Sequence, residues 1–350
     1  MSKYRRLRPV TLLLAVAGIL AACGTSGSSS GSASAAGSAS GPPVSIAFGY
    51  QSTSWGAPIV VAQKMNAWKG LGVAVNTTAL TAGTAVTQGI LAGSLQAGSL
   101  GSTPFITGAA KGKLVAVAVV AYAGATDAVV VRKGSGITSV ADLRGKKIAT
   151  QIGSSTNDIF VNKIAPANGL QPGSYTLVNT TFQNMYSELA AGDVDAFLGV
   201  DPSPALAVYN HVGSIVTTYL KYDPTPLYLT FTAQFVQSHP NAVVRFLEGW
   251  LKVDQEFAKH PAQAASLSSA IFSKTGVQLP AKVLQESVNA MQVTSAFAAN
   301  TDQYLTAQAD TLVKQGAIPA VPNWSQAINT SFLDKAAKAL GVKLTPPKLQ

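Results

Sequence analysis

The amino-acid sequence predicts an α/β protein of two lobes, in which mostly parallel sheets carry flanking helices and the C-terminal part is helical. Short apolar segments alternate with amphipathic segments from Val44 to Thr232, which is typical of parallel strands joined by helices. One block of this alternation interrupts another, so the chain is expected to cross between two lobes twice. From His239 onward, apolar residues recur at helical spacing.

The first 22 residues have the organisation of a secretory signal peptide. Four cations precede any acid, and an apolar run of about 13 residues, from Val10 to Ala22, follows them. A run of this length is short for a transmembrane helix and typical of the apolar region of a signal peptide. We therefore predict that residues 1–22 direct export and are removed.

The only cysteine, Cys23, stands directly after Leu20-Ala21-Ala22. This sequence resembles the bacterial lipobox, in which a diacylglycerol is attached to the cysteine thiol. The alternative is an ordinary signal peptide followed by a chance cysteine. Residues 24–43 are Gly, Ser, Ala and Thr with a closing Pro-Pro pair, a composition typical of flexible linkers. We predict that residues 23–43 are a lipidated cysteine and its tether to a membrane.

Composition excludes several kinds of function. A single cysteine cannot form an intramolecular disulfide or a cysteine-cluster metal site. Removing the four cations of residues 1–22 lowers the formal charge from +10 to +6, and the remaining Lys and Arg are scattered, which disfavours nucleic-acid binding. None of the three histidines stands in a metal-binding or catalytic motif. We expect no metal, no cofactor and no enzyme activity.

The predicted lobe I comprises residues 44–124 and 220–350. Pro58 suits the first turn of a helix, and Thr103 is a plausible N-cap before Pro104. The predicted strands are Val44–Gly49, Val73–Thr77, Leu95–Leu100, Leu114–Tyr122 and Leu227–Thr232, and the predicted helices are Pro58–Trp68, Ala85–Leu91, one that opens at Thr103-Pro104, His239–Lys259, Pro261–Phe272, Pro280–Met291, Asp302–Lys314 and Trp324–Leu340.

The predicted lobe II comprises residues 125–219. Its segments are shorter, and Gly169 ends the longest of its helices. The predicted strands are Ala128–Arg132, Lys147–Gln151, Tyr175–Asn179, Val194–Val200 and Ile215–Leu220, and the predicted helical segments are Val140–Leu143, Asn157–Ala167, Met185–Ala191 and Ala205–Asn210.

Three polar, glycine-containing loops each lie between a predicted strand and a predicted helix. They span Gly49 to Gly56, Gly98 to Thr103, and Gly153 to Thr156. Such loops lie at the carboxyl ends of parallel strands, where ligands bind, and the following helix N-termini present free N–H groups that suit an anion. Simple helix capping is the alternative for each loop, but two in one lobe and one in the other favour a shared polar cleft.

Three further residues allow two interpretations each. Asp201 follows the apolar run Ala196–Val200. Its carboxylate either faces the cleft, where it binds an amine or orients a basic loop, or caps the following turn. Trp55 and Tyr122 stack on a ligand or pack in the cores. For Trp55, flanked by Ser54 and Gly56, we favour the cleft.

Several motifs are similar to those of one family. They are the segment Gly136 to Thr156, which reads GITSVADLRGKKIATQIGSST, the segment Gly192-Asp-Val-Asp-Ala196, the pair Asp201-Pro202, the looser match Ala92 to Gly98, and His239-Pro240 before a long helix. The chain resembles the substrate-binding lipoproteins of ABC importers, from the family of sulfonate, taurine, nitrate and thiamine-precursor binding proteins. The resemblance implies the periplasmic-binding-protein fold of type II, with two lobes that close on a ligand.

The resemblance also implies which residues contact the ligand: Gln51, Ser52, Thr53, Ser54, Trp55, Ser99, Leu100, Gly101, Ser102, Gly153, Ser154, Ser155, Thr156 and Asp201. The chain departs from the family pattern at two positions, because Gln96 stands where the family usually has Asp, and Val200 stands where a bulkier aromatic residue is frequent.

The implied function is that of a monomeric solute receptor. It would deliver a small anionic or zwitterionic solute to an ABC permease and its ATPase, from the outer face of the cell membrane or from the periplasm. An enzyme or a pyrimidine-binding protein on the same fold is the alternative, although the cysteine-rich segment of the thiamine-pyrimidine branch is absent. An adhesion or sensor lipoprotein is the third interpretation.

Overall fold

The structure is a computed structural model that describes residues 42–269, 271 and 279–347. The predicted signal peptide, Cys23 and the tether up to residue 41 lie outside the described residues, so these three assignments stay predictions. No helix within the described ranges is both long enough and apolar enough to span a membrane.

The part of the chain that carries a six-stranded sheet is called lobe I. The strand order is β11-β4-β10-β3-β1-β2. The strands are β1 Val44–Gln51, β2 Val73–Leu80, β3 Ala97–Gly101, β4 Leu114–Tyr122, β10 Pro226–Thr232 and β11 Gln292–Val293, and the helices next to them in the chain are α1 Ala57–Lys64, α2 Gly83–Leu91, α3 Ser102–Ala109 and α8 Ala233–Ser238.

Lobe II carries a five-stranded sheet in the order β7-β6-β8-β5-β9. The strands are β5 Asp127–Arg132, β6 Lys147–Thr150, β7 Thr176–Asn179, β8 Ala196–Val200 and β9 Gly213–Thr218. The helices are α4 Ser155–Ile159, which continues through a π-helical segment, Phe160–Ile164, into α5 Ala165–Ala167, then α6 Met185–Ala191 and α7 Ser203–Tyr209. The strands of the two sheets thus come from the chain segments predicted for the two lobes, and the residue-level boundaries of the lobes stay a prediction.

Each sheet is mixed, whereas mostly parallel sheets were expected. Strand β1 is parallel to β2 and β3, and β6 is parallel to β7 and β8. In contrast, β10 is antiparallel to β3 and β4, and β5 is antiparallel to β8 and β9. The difference arises because β5 and β10 each enter a sheet directly from a crossover and run against their neighbours, without a helical connection that would reverse their direction.

The two crossovers between the lobes lie side by side. Ala123 N donates to Thr225 O at 3.0 Å, and Leu220 N donates to Gly124 O at 2.8 Å. A Cβ at Gly124 would stand 2.3 Å from Asp223 O, so only glycine allows the two segments to approach this closely. We call these paired crossovers the hinge.

The C-terminal part is helical, as predicted. It comprises α9 Pro240–Lys259, α10 Pro261–Ser268, α11 Ala281–Asn289, α12 Thr301–Lys314, α13 Trp324–Ala327 and α14 Ser331–Leu340. The prediction of one helix from Trp324 to Leu340 is wrong, because Ile328 is extended and forms a parallel bridge with Ala116 of β4. Asn329 Oδ1 then accepts from Ser331 N at 3.1 Å as the chain becomes helical again.

Apolar packing of α9 on the lobe I sheet holds the carboxyl ends of its strands in place. Phe246 and Trp250 of α9 are fully buried, and the Phe246 ring stacks on Phe48 of β1 with centroids 5.8 Å apart. Burying side chains of this size stabilises the fold by roughly 1.5–3 kcal/mol each. The loop that follows β1 is therefore anchored to a rigid layer.

Candidate functional site

The three predicted loops meet where the two lobes face each other. Ser54 N donates to Asp201 O at 2.8 Å, and the Trp55 indole N–H donates to the Thr126 hydroxyl at 3.2 Å. Thr103 N donates to the Ser155 hydroxyl at 3.1 Å. Each contact joins lobe I to lobe II or to the end of the first crossover, so the structure has the two lobes in direct contact.

The first loop leaves β1 two residues later than predicted, since Gln51 is still paired in the sheet. A 3-10 turn, Ser54–Gly56, then leads into α1, and Thr53, Ser54 and Trp55 are all buried. Gly56 is required here because a Cβ would stand 2.4 Å from Gln51 O. Trp55 belongs to a buried hydrophobic cluster and its indole N–H donates to Thr126, so its contact with a ligand stays a prediction.

The second loop differs from the prediction at the start of α3. The helix begins at Ser102 with Gly101 as its N-cap, so the assignment of Thr103 as N-cap is wrong. Glycine has no side chain to accept a hydrogen bond from the first turn, and the Ser155 hydroxyl of lobe II accepts one from Thr103 N instead. A Cβ at Gly101 would stand 2.4 Å from Ser155 Oγ, so the absence of a side chain also permits this approach.

The third loop turns from β6 into α4. Gly153 has a φ of 81°, in the left-handed region that favours glycine, and Ser154 caps α4 by accepting from Asn157 N at 3.1 Å. This capping leaves Ser155 and Thr156 to make longer-range contacts. Thr156 Oγ1 donates to Asp127 Oδ2 at 3.3 Å, and Thr156 O accepts from the Tyr219 hydroxyl at 2.9 Å.

Of the interpretations of Asp201, the structure supports the cap, and contact of its carboxylate with an amine stays a prediction. Its Oδ1 accepts from Ala205 N at 3.2 Å and so caps the turn into α7, while its backbone oxygen meets Ser54 across the cleft. Burial raises the pKa of the Asp201 carboxyl to about 6, against hydrogen bonds from Ser287 and Ala205 that lower it. A carboxylate at this place would gain from a cationic partner.

Asp127 is a candidate site residue that the sequence did not indicate. It is the first residue of β5 and is fully buried, and its Oδ1 has no hydrogen-bond partner in the described structure. Burial raises the pKa of Asp127 well above its usual range, the Thr156 hydroxyl lowers it, and the charge of Asp201 raises it further. The available signal was an acid at the head of the otherwise apolar strand Ala128 to Val131.

Several buried oxygens at this contact have no hydrogen-bond partner among the described residues. They are Thr53 Oγ1, Ser54 Oγ, Ser102 Oγ and Asp127 Oδ1. Most buried polar atoms in proteins are paired, and leaving one unpaired costs about 1–3 kcal/mol. Three of these atoms lie on the facing loops and the fourth at the start of β5, so they are candidates for pairing with a ligand.

The other predicted site residues lie at the edges of this contact or in the core. Leu100 is fully buried in the hydrophobic core of lobe I, so its side chain points away from the site. Ser52 is half-buried and donates its N–H to Leu80 O, and Ser99 is buried within β3. Gln51 and Gly153 approach the N-terminus of α2, near Gly83 and Thr84 respectively.

Tyr122 has a structural role. It lies at the end of β4 and is buried, and its hydroxyl accepts from Ala298 N at 2.9 Å. The same hydroxyl donates to Ala296 O at 3.3 Å. Of the two interpretations of Tyr122, the structure therefore supports packing. Within the described ranges, no group of three or more His, Cys, Asp and Glu side chains could hold a metal ion.

Comparison with known proteins identifies a family that this chain matches. The sequence model of the NMT1-like family matches residues 39–272. The taurine-binding periplasmic protein of Escherichia coli (strain K12) is 25% identical over 306 residues, which cover 83% of this chain and 93% of that protein.

Solved structures share the fold. The alkanesulfonate-binding protein SsuA of Xanthomonas axonopodis pv. citri, bound to MOPS, matches with a TM-score of 0.72 at 20% identity, over 83% of this chain and 99% of that one. The periplasmic nitrate-binding protein NrtA of Synechocystis PCC 6803 matches with a TM-score of 0.70 at 16% identity, over 85% of this chain and 89% of that one. The predicted periplasmic-binding-protein fold is thereby confirmed.

Proposed function

Because the chain belongs to the NMT1-like family, we propose that it is an exported solute receptor that binds a small anionic or zwitterionic solute between its lobes and delivers it to an ABC importer. The observation that carries this proposal is the meeting of the three loops, with four buried, unpaired oxygens and a helix N-terminus at one contact. The similar proteins are named as binding proteins for taurine, alkanesulfonate and nitrate, which supports a small anionic or zwitterionic solute.

The geometry suggests how an anionic group would be held. The first turn of α3 offers N–H groups with a partial positive charge, and the Ser155 hydroxyl now bonds one of them, at Thr103. A sulfonate or nitrate oxygen would take the place of this hydroxyl when the lobes part. The hydroxyls of Thr53, Ser54 and Ser102 would then complete its hydrogen bonds without placing a second fixed charge in the site.

The two acids favour a zwitterion over a simple anion. Asp201 and Asp127 belong to the same contact, and neither forms an ion pair within the described structure. An ammonium group on the solute would offset the desolvation cost of the buried Asp201 carboxylate. We therefore infer a solute with a sulfonate at one end and an amine at the other.

Isothermal titration calorimetry tests this function. Taurine, ethanesulfonate, nitrate and a pyrimidine are titrated into the purified protein. Micromolar or tighter binding of taurine or ethanesulfonate is expected, and no heat with any of these solutes would contradict the proposal. Tighter binding of taurine than of ethanesulfonate is expected if the acids contact the amine.

An enzyme on the same fold is the second candidate, and the buried Asp127 with its raised pKa is the observation that favours it. Proton NMR of each solute after incubation with the protein distinguishes the two, because a receptor returns the solute unchanged. Relatives named as binding proteins favour the receptor.

Attachment through Cys23 completes the proposal. A lipid on this residue, followed by the Gly/Ser-rich tether, would keep the receptor beside its permease at the membrane. Mass spectrometry of the membrane-extracted protein should find a diacylglyceryl group on Cys23. Cys23→Ser should release the protein from the membrane fraction, whereas retention of this variant would argue against the anchor.

A further inference from the structure

A single buried carboxylate joins the hinge to both lobes. Asp223 lies in the second crossover, and its side chain is fully buried. Its Oδ1 accepts from Thr225 N at 2.7 Å and from the Tyr304 hydroxyl of α12 at 2.8 Å. Its Oδ2 accepts from Lys163 Nζ, which belongs to the π-helical segment of lobe II.

Lys163 contacts two elements outside its own lobe. Besides its ion pair with Asp223, its ammonium lies 4.9 Å from the centre of the Tyr304 ring, within the range of a cation–π interaction. Burial and the charge of Asp223 raise the pKa of Tyr304 well above its usual range, so this phenol keeps its proton and donates. The Lys163 ammonium and the Tyr304 hydroxyl therefore both donate hydrogen bonds, and the Asp223 carboxylate accepts them.

We propose that Lys163, Asp223 and Tyr304 form an inter-lobe clasp that holds the two lobes in contact. Lys163 supplies the contact from lobe II. Asp223 is held from lobe I by the Tyr304 hydroxyl, and from lobe II by Lys163 and by the Tyr219 carbonyl, which accepts from Asp223 N at 2.8 Å. Lobe separation would therefore part Lys163 from Tyr304 and break the chain of contacts that runs between them through Asp223. The proposal rests on the lobe movement of the proposed function, but it does not depend on which solute binds.

The clasp acts through the difference between the closed and the open form. In the closed form, Lys163 supplies the only cationic partner that the described structure gives to Asp223. In the open form, the Lys163 ammonium would move away, and water would have to solvate the Asp223 carboxylate in its place. A contact that exists in one form alone shifts the population towards that form, whereas contacts made in both forms do not.

The π-helical segment explains why Lys163 reaches the hinge. An inserted residue in a π turn shifts the side chains that follow it around the helix axis, and such turns are frequent at functional sites. Asn162, next to Lys163, accepts from Gln315 Nε2 at 3.1 Å at the end of α12. Two consecutive residues of this segment thus bond to lobe I or the hinge.

The other ion pairs of the described residues do not connect the lobes. Arg132 and Asp195 both belong to lobe II, at 3.9 Å. Lys282 and Glu286 form an exposed pair within α11, also at 3.9 Å. Lys282→Met is therefore a matched control for Lys163→Met, because it removes the same charge from a paired lysine without touching the contact between lobes.

Small-angle X-ray scattering of the solute-free protein tests the clasp. Lys163→Met should increase the radius of gyration and lower the closed-to-open ratio by about tenfold or more, because it removes the charge and keeps the aliphatic stem. Lys163→Arg should restore most of the closed form, and Lys282→Met should match the wild type. Tyr304→Phe, which removes only the hydroxyl, should give a smaller change in the same direction.

Several outcomes would overturn the clasp. These are a wild-type scattering curve that fits separated lobes, or the same radius of gyration for the wild type, Lys163→Met and Tyr304→Phe. Circular dichroism shows whether each variant is folded. If Lys163→Met does not fold, the radius of gyration of Tyr304→Phe decides the test. Since no solute is present, a failure of the receptor proposal in calorimetry leaves this test intact, and a failure here leaves solute binding open.

Discussion

The Ser155 hydroxyl of lobe II accepts a hydrogen bond from the backbone N–H of Thr103 in lobe I at 3.1 Å. This bond places the N-terminus of α4 against the N-terminus of α3. It is possible because Gly101 precedes α3 and presents no side chain, and a Cβ there would stand 2.4 Å from Ser155 Oγ and 3.1 Å from Ser155 Cβ. The absence of a Cβ at Gly101 thus permits the close approach of the two lobes at this point.

Gly101→Ala should hinder closure. We expect at least a tenfold loss of solute affinity, because the added methyl group makes the closed form less populated and the apparent affinity falls with that fraction. Calorimetry with the best solute measures the loss. The double variant Gly101→Ala/Ser155→Gly removes the clashing hydroxyl and should recover part of the affinity, and the double-mutant cycle isolates the coupling. Equal losses with and without Ser155 would show that the clash is not the cause.

Asp201→Asn should change which solutes bind. The asparagine keeps an oxygen that can accept from Ala205 N, so the cap of α7 is preserved, but the negative charge is lost. We expect taurine affinity to fall by about tenfold or more, in keeping with the 1.4 kcal/mol or more that a charge-assisted hydrogen bond contributes. Ethanesulfonate, which has no amine, is the control solute and should bind within about twofold of the wild type.

An equal loss for both solutes would mean that Asp201 shapes the loop and does not contact an amine. The receptor would still bind a sulfonate in that case, so this result separates the role of the residue from the function of the protein.

The sequence predicted the position of the three loops, because local chemistry determines local structure there. A strand that ends in Gly, Ser and Thr before a helix predicts a loop at the carboxyl edge of a sheet, and all three loops lie there. Asp127 was missed because an acid at the start of a strand reads as a turn residue. Its side chain accepts from Thr156, which is distant in sequence, and a local sequence pattern does not predict such a contact.

The fold differs from the prediction where long-range pairing decides the outcome. The antiparallel pairing of β10 with β3 and β4 is a long-range contact, which the composition of β10 alone does not predict. Likewise, residues 324–340 have helical periodicity, yet Ile328 pairs with Ala116 of β4 and splits the helix. The free energy of a tertiary contact is comparable to the helix propensity of a few residues, so it can override that propensity.

Trp55 should report the movement of the lobes. Its indole is buried and donates to Thr126 across the contact, so separation or solute entry changes its surroundings. We expect Trp55→Phe to remove most of the fluorescence change that solute causes in the wild type. The loss of one hydrogen bond should lower the free energy of unfolding by about 1 kcal/mol.

Trp324→Phe is the matched control for Trp55→Phe. The Trp324 indole also donates to a threonine hydroxyl, that of Thr306 at 2.8 Å, but both residues belong to lobe I. This variant should keep the solute-induced fluorescence change. If instead Trp55→Phe keeps the change and Trp324→Phe loses it, the solute acts away from the predicted loops.

Asp254 should make the protein less stable as pH rises towards neutral. Burial raises the pKa of this carboxyl from 3.8 to about 7, and hydrogen bonds from the side chain and backbone of Ser295 lower it. Between about pH 4 and 7 the native state therefore holds a proton that the unfolded chain has lost. Where the native state binds more protons, the free energy of unfolding falls as pH increases. Asp201, with its pKa raised to about 6, contributes in the same direction.

Asp254→Asn removes this titration while its amide oxygen can still accept from Ser295 N, which bonds Asp254 Oδ2 at 2.7 Å in the wild type. We expect the variant to be more stable than the wild type at pH 8 by about 1–2 kcal/mol, with a flatter profile from pH 4 to 8. Urea denaturation at pH 4.5, 6 and 8 measures both quantities. Asp310→Asn, at an exposed position of α12, is the control for the change in net charge and should follow the wild-type profile. A wild-type stability that rises steadily from pH 5 to 8 would mean that Asp254 is ionised in the native state throughout, and that its burial is compensated by contacts stronger than its hydrogen bonds from Ser295.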